Sequence, residues 1–222
     1  MKLSRINCLS IALCFALLAP SAWAVDKGLA RPLNEQRVAL VIGNKDYADK
    51  PLRNPLNDAR DMKSALESLG FRVVYRENAN LAQMDDAVRE FARYLDKESV
   101  ALFYYSGHGL QVDGINYLVP IGASIASKAE VKSRAYDANI ALGDIEESGA
   151  RVGVVLLDAC RDSPLRSFRS SVGGLAQMGV GSGPIIAFAT APGQTAEDGK
   201  GRNGTFTKQA VFTQPLEKVK LA

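Results

Sequence analysis

The sequence predicts an α/β domain with a mostly parallel β-sheet covered by helices on both faces, and three observations carry that prediction. Short runs of β-branched and apolar residues recur, each too continuous to have one face in water, as in strands buried on both faces. Segments with helical apolar spacing separate the first three of them. Turn residues close the runs, and strands joined by helical segments imply right-handed crossovers in one sheet.

Taken in order, Arg37-Val-Ala-Leu-Val-Ile42 is the first such run and stops at Gly43-Asn44. From Asn57 to Leu69 the apolar residues Ala59, Met62, Leu66 and Leu69 fall on one helical stripe, and Gly70 ends the helix. Phe71-Arg-Val-Val-Tyr75 is the second strand. A second helix is predicted over Leu81 to Leu95, its stripe formed by Met84, Val88, Phe91 and Leu95. Val100-Ala-Leu-Phe-Tyr-Tyr105 is the third strand, followed by a small hairpin over Leu110 to Leu118 with Asp113-Gly114 at its turn. A weaker helix lies near Ala138 to Glu147. Val152-Gly-Val-Val-Leu-Leu157 and Ile185-Ile-Ala-Phe-Ala189 complete the strands. No internal repeat or second domain is visible.

The amino terminus reads as something else. Lys2 and Arg5 precede the apolar run Ile11 to Leu18, then Pro20 and the small-x-small sequence Ala22-Trp23-Ala24, the pattern of a secretory leader cut after Ala24. The expected organisation is therefore a signal peptide at 1–24, a linker at 25–36, one folded domain at 37–208 and a short tail at 209–222. An exported protein, periplasmic or secreted, is expected. Beyond the leader the chain has 25 basic and 24 acidic residues, a balance that argues for neither nucleic acid nor an anionic membrane as partner.

Cysteine usage is more informative than charge. Cys8 and Cys14 lie in the leader, so the rest of the chain keeps Cys160 alone, and His108 is the one histidine of the sequence. A lone cysteine or histidine is ordinarily a core filler. Here both follow a predicted parallel strand directly: His108 in Ser106-Gly107-His108-Gly109 after the third, and Cys160 in Asp158-Ala159-Cys160-Arg161 after the fourth. Sites in open parallel sheets form at the carboxyl ends of strands, so a thiol and an imidazole can face each other there. A base beside the thiol raises the thiolate fraction of a group whose free pKa is about 8.5. The flanking glycines are expected to let the chain turn sharply at His108, and the amides of Gly109 and Cys160 are candidate donors to a tetrahedral oxyanion.

Six pieces then carry a family resemblance. They are Val41-Ile-Gly-Asn44, Leu56-Asn-Asp-Ala59, Tyr104-Tyr-Ser-Gly-His-Gly109, Tyr117-Leu-Val-Pro120, Leu156-Leu-Asp-Ala-Cys-Arg161, and Ala187 to Gly193 with Asn203-Gly204. In this order the chain resembles the caspase-like cysteine peptidases, peptidase C14 type, in particular their bacterial and metacaspase branch. The 52 residues from His108 to Cys160 match the spacing of about 50 found in caspases. The resemblance implies a caspase-like three-layer sandwich and a Cys160–His108 dyad that hydrolyses peptide or protein substrates. It also implies a basic residue before the scissile bond. The positions that match the acidic pocket of the metacaspase-like relatives are Asp58 and Asp158, with Ser106 nearby. Asp58, in the first turn of a helix, has the alternative of a merely solvated charge.

Two departures from the family stand in the sequence. Arg161 follows the nucleophile where many metacaspases have His-Ser-Gly. The tail from Gln209 to Ala222 contains Pro215 and offers no evident last strand, so the sheet is expected to lack one. The linker Ser163 to Gly183 is rich in Gly and Ser and holds Arg166 and Arg169, candidate sites of self-cleavage.

Rival readings are a catalytically silent interaction domain of the same fold and, more remotely, a phosphatase loop from the C-x5-R spacing of Cys160 and Arg166. Pro164 removes one of the amide donors such a loop needs. Gly179 to Gly183 precedes a strand and so is not a nucleotide loop. No cofactor and no metal are expected. Family resemblance raises calcium activation, for which Asp85, Asp86, Glu146 and Glu147 offer no ligand spacing.

Overall fold

The computed structural model of the chain describes residues 35–160, 185–188, 201–208 and 211. In chain order the first elements are β1 (Arg37–Gly43), α1 (Pro55–Ser68), β2 (Arg72–Glu77), α2 (Leu81–Ala92), β3 (Val100–Val112) and β4 (Ile115–Leu118). Then come α3 (Lys128–Arg134), β5 (Tyr136–Asp137), α4 (Ala138–Glu147), β6 (Val152–Cys160), β7 (Ile185–Phe188) and α5 (Thr205–Lys208).

Five strands pair in the order β2-β1-β3-β6-β7, every pairing parallel. The alternation of β1 and β3 divides the core into two layers. Val38, Leu40, Ile42, Ala101, Phe103 and Tyr105 pack with α2 and α4 on one face. Ala39, Val41, Leu102 and Tyr104 pack with Ala59, Met62 and Leu66 of α1 on the other. Both faces of these strands are dry, which is why their sequences read as unbroken apolar runs. Each fully buried side chain such as Met62, Leu66 or Phe91 contributes about 1.5–3 kcal/mol of burial.

The helices begin and end where local chemistry directs. Pro55 opens α1, and Gly70 at φ +80° follows its end. Asn80 and Gln83 form a reciprocal capping box on α2. Gly43 exists for close packing: a Cβ there would stand 2.6 Å from the Pro55 carbonyl oxygen and 2.7 Å from Ala59 Cβ. The neighbouring Asn44 is fully buried, takes the Ala79 amide on its side-chain oxygen and donates to the Ala79 and Val119 carbonyls. These bonds tie the end of β1 to the start of α2 and to the chain after β4.

The predicted hairpin is present, with Asp113 and Gly114 both left-handed (φ +51° and +81°) in its two-residue turn. The predicted third helix, near Ala138 to Glu147, is α4. The sequence reading missed α3 and β5, both too short for periodicity to register. It also ended β3 too early. The strand does not turn at His108: it runs through Gly107-His108-Gly109 to Val112, pairing with β6 as far as His108 and with β4 from Gly109 onward. β6 likewise includes Cys160 instead of stopping at Leu157.

The leader, the Ser163–Gly183 linker with Arg166 and Arg169, and all of the tail after Lys208 except Val211 lie outside the described residues. No described helix is long and apolar enough to cross a membrane.

Candidate active site

β3 and β6 are adjacent and parallel, and their register sets His108 opposite Cys160 as Cα partners. Neighbouring strands run about 4.8 Å apart, so the two backbone positions are within reach of a thiol–imidazole contact. The His108 side chain is 1% exposed. Its Nε2 lies 2.7 Å from the carbonyl oxygen of Lys50, which can only accept. Nε2 therefore carries the proton in the neutral ring, and Nδ1 carries the lone pair.

Lys50 presents that carbonyl from a left-handed conformation, φ +55°, which costs a non-glycine residue about 1 kcal/mol. Strain of this kind collects where function fixes the backbone.

The backbone of His108 is clamped by two buried tyrosines. Its amide donates to the Tyr47 hydroxyl at 3.0 Å, and its carbonyl accepts from the Tyr105 hydroxyl at 2.9 Å. The two hydroxyls are 3.1 Å apart and both lie about the Val119 carbonyl. Burial first, then the neighbouring Tyr47, pushes the Tyr105 pKa well up, so its hydroxyl keeps its proton. The Tyr47 ring also packs against the imidazole, centroids 4.4 Å apart and tilted by 50°.

Gly107 is explained by this clamp. A Cβ there would stand 2.5 Å from the Tyr105 hydroxyl and 2.7 Å from that of Tyr47. The glycine is needed for space, not for the sharp turn expected from sequence.

Gly109 pairs with Leu118 across the hairpin, and the bond from Val119 N to His108 O, 2.9 Å, makes it a non-hydrogen-bonded pair. The Gly109 amide consequently points away from β4, toward the side of β3 on which β6 runs.

Asp58 and Asp158 converge near the carboxyl end of β6. Asp58 in the first turn of α1 is 2% exposed and Asp158 near the end of β6 is 8% exposed, which removes the solvated alternative for Asp58. Ser106, also buried, is the register partner of Asp158 on β3. Asp58 Oδ2 and Asp158 Oδ2 lie 3.1 and 3.3 Å from the point where a Cβ on Gly204 would stand. Two carboxylates from different elements thus face one small region.

The segment 202–208 closes over them. The Gly204 amide donates to Asp58 Oδ1 at 2.9 Å, and the Thr207 hydroxyl donates to Asp158 Oδ2 at 2.9 Å. Arg202 pairs with Asp61, as does Asn203, and Asn57 donates to the Arg202 carbonyl. Sequence reasoning picked out Asn203-Gly204 and Tyr105 only as parts of family-matching pieces, gave them no role, and missed Thr207, Lys50 and Tyr47. Lys50 acts through its carbonyl, which leaves no mark in a sequence. Thr207 fell inside the expected domain at 37–208 without a role.

Among the described residues no group of three or more His, Cys, Asp or Glu could hold a metal ion.

Comparison with known proteins places the chain in a family. The caspase domain model matches residues 36–217. The chain is similar to human mucosa-associated lymphoid tissue lymphoma translocation protein 1, 31% identical over 167 residues, 75% of this chain and 20% of that protein. It is also similar to caspase a of Danio rerio (32% over 91 residues, 37% of this chain and 23% of that protein). Against caspase-1 of Rattus norvegicus it is 30% identical over 118 residues, 49% of this chain and 29% of that protein. It spans about a fifth to under a third of the length of these relatives. With a parallel sheet flanked by helices and the family model covering most of its length, the chain belongs to the caspase domain family, peptidase C14.

Proposed function

We propose that the chain is a thiol endopeptidase that cleaves after arginine, and less readily after lysine, with Cys160 as nucleophile and His108 as acid and base. The observation that carries this reading is the register of His108 opposite Cys160, combined with the commitment of Nε2 to the Lys50 carbonyl. That bond leaves Nδ1 as the nitrogen able to take a proton.

The chemistry follows in two halves. Nδ1 accepts the thiol proton, and the Cys160 sulfur attacks the scissile carbonyl carbon. The oxygen becomes an oxyanion, held by the amides of Gly109 and Cys160. As the intermediate collapses, the carbon–nitrogen bond breaks, the imidazolium returns its proton to the leaving amine, and a thioester remains. Water, deprotonated by Nδ1, then attacks the thioester and releases the acid and the thiol.

Asp58 and Asp158, with Ser106 beside them, bind the basic side chain. Two buried carboxylates facing one region suit a guanidinium, which can be held by paired hydrogen bonds, better than the point charge of lysine. They reject aspartate by repulsion. Exported by its leader, the enzyme works in a periplasm or outside the cell, and Arg166 and Arg169 are the bonds it cuts in itself.

Purified protein incubated with acyl-arginyl, acyl-lysyl and acyl-aspartyl reporters tests this. Arginine should be turned over fastest and aspartate not at all. A folded, inert protein would make the chain a silent member of its family, and preference for aspartate would displace the pocket.

A further inference from the structure

The hydroxyl of Thr207 touches a charge at a place where a methyl would fill the space equally well. It is fully buried and donates to Asp158 Oδ2 at 2.9 Å. A hydroxyl has one proton, and that proton is committed to the carboxylate. The 2.6 Å contact between Thr207 Oγ1 and the Tyr104 hydroxyl must then run the other way, with Tyr104 donating. Tyr104 is itself fully buried and holds its proton firmly, first because of burial and then because the charges of Asp158 and Asp58 oppose a phenolate. The result is a one-way chain, Tyr104 to Thr207 to Asp158, from β3 through α5 to β6.

We infer that Thr207, backed by Tyr104, is a specificity-determining positioning residue that holds the Asp158 carboxylate ready for a guanidinium. This rests on the arginine pocket proposed above. Groups that lie about Asp158 include Asp58 from α1, Tyr104 and Ser106 from β3, and Gly204 and Thr207 from the closing segment. Of these, Asp58 and Tyr104 are ionisable. Asp58 disfavours a second negative charge beside it, and the hydrogen bond from Thr207 opposes that effect by stabilising the ionised form. It also fixes the position of one carboxylate oxygen, Oδ2. Gly204 does the same for Asp58 through its amide, and no side chain could replace its hydrogen there without pressing on both carboxylates.

The test compares Thr207→Val, which keeps shape and loses the hydroxyl, with Thr207→Ser, which keeps the hydroxyl. Two readouts are taken: reporter kinetics, and the apparent titration of the Asp158 carboxyl followed by carbon-13 NMR. In Thr207→Val the carboxyl pKa should rise, because the hydrogen bond that favours the ionised form is lost, and KM for the arginyl reporter should rise about tenfold with kcat changed far less. Thr207→Ser should restore both to within about threefold, since its hydroxyl can make the same bond. If Thr207→Val does not fold, Tyr104→Phe replaces it, with the same direction and a smaller shift. An Asp158 titration unmoved in a folded variant overturns the relay whether or not the wild type cleaves anything. Absence of arginyl cleavage by the wild type, with the titration shifted as expected, overturns the pocket's proposed use and leaves the relay standing.

Discussion

Two neighbouring tyrosines on β3 serve two corners of the same site, and the corners are built differently. Tyr105 faces the α2 side, where its hydroxyl and that of Tyr47 hold the backbone of His108, while the imidazole is oriented by a backbone carbonyl. Tyr104 faces the α1 side, where its hydroxyl acts through Thr207 on a carboxylate. The dyad corner is fixed largely by main-chain atoms, whereas the acidic corner is fixed by side chains and one amide. Substitution should therefore act on them unequally: removing a side chain from the acidic corner removes a partner of a buried carboxylate, while some at the His108 corner matter only for the shape they impose.

The largest effect is expected from the reacting groups themselves. Cys160→Ala and His108→Ala should each lower kcat by a factor of about 10⁴ or more, as loss of one member of a catalytic unit does elsewhere. Both variants should remain folded, His108→Ala with the lower thermal stability because it empties a buried site beside the Lys50 carbonyl. Substantial cleavage by Cys160→Ala would remove the dyad corner from the mechanism.

The acidic corner comes next. Asp58→Asn and Asp158→Asn should each reduce kcat/KM for the arginyl reporter about 100-fold, the scale for truncating one partner of a buried charge pair. A reporter with an uncharged residue at that position should lose far less. Equal losses on both reporters would show that the carboxylates support the fold and not the pocket.

Smaller again, and read in stability, is Gly107→Ala. Its new methyl would meet both clamp hydroxyls, so unfolding free energy should fall by about 1–3 kcal/mol. Adding Tyr47→Phe removes one of the two oxygens in its way, so the combined loss should be less than the sum of the single losses. Strict additivity in denaturant titrations would place the clamp elsewhere.

The smallest change concerns Lys50. Lys50→Gly relieves the left-handed backbone while keeping the carbonyl, and stability should rise by no more than about 1 kcal/mol, offset in part by the greater freedom of unfolded glycine. A marked loss of stability would mean that the lysine side chain holds the loop.

How much of this could be read from the sequence depends on the kind of information each part uses. The sheet was legible because strands dry on both faces leave unbroken apolar runs, as at Arg37–Ile42 and Val100–Tyr105. His108, Cys160, Asp58 and Asp158 stood out because each is a reactive or charged residue at the end of an apolar run or in a helix's first turn. Gly107 was noticed for the wrong reason: its need is set by two hydroxyls, one of them 60 positions away at Tyr47, and spacing along the chain carries no trace of that. The Lys50 carbonyl was illegible in principle, because every residue has one. α3 and β5 are too short for a period of 3.6 or 2 to repeat.

The most direct test of the proposed site is covalent trapping. A peptidyl-arginyl chloromethyl ketone should alkylate the protein once, on Cys160, with loss of chloride. Intact mass and peptide mapping should locate the adduct. An excess of acyl-arginine amide should slow the labelling, acyl-aspartate should not, and His108→Ala should label far more slowly than wild type. No adduct on Cys160, or faster labelling by the aspartyl analogue, would contradict the account.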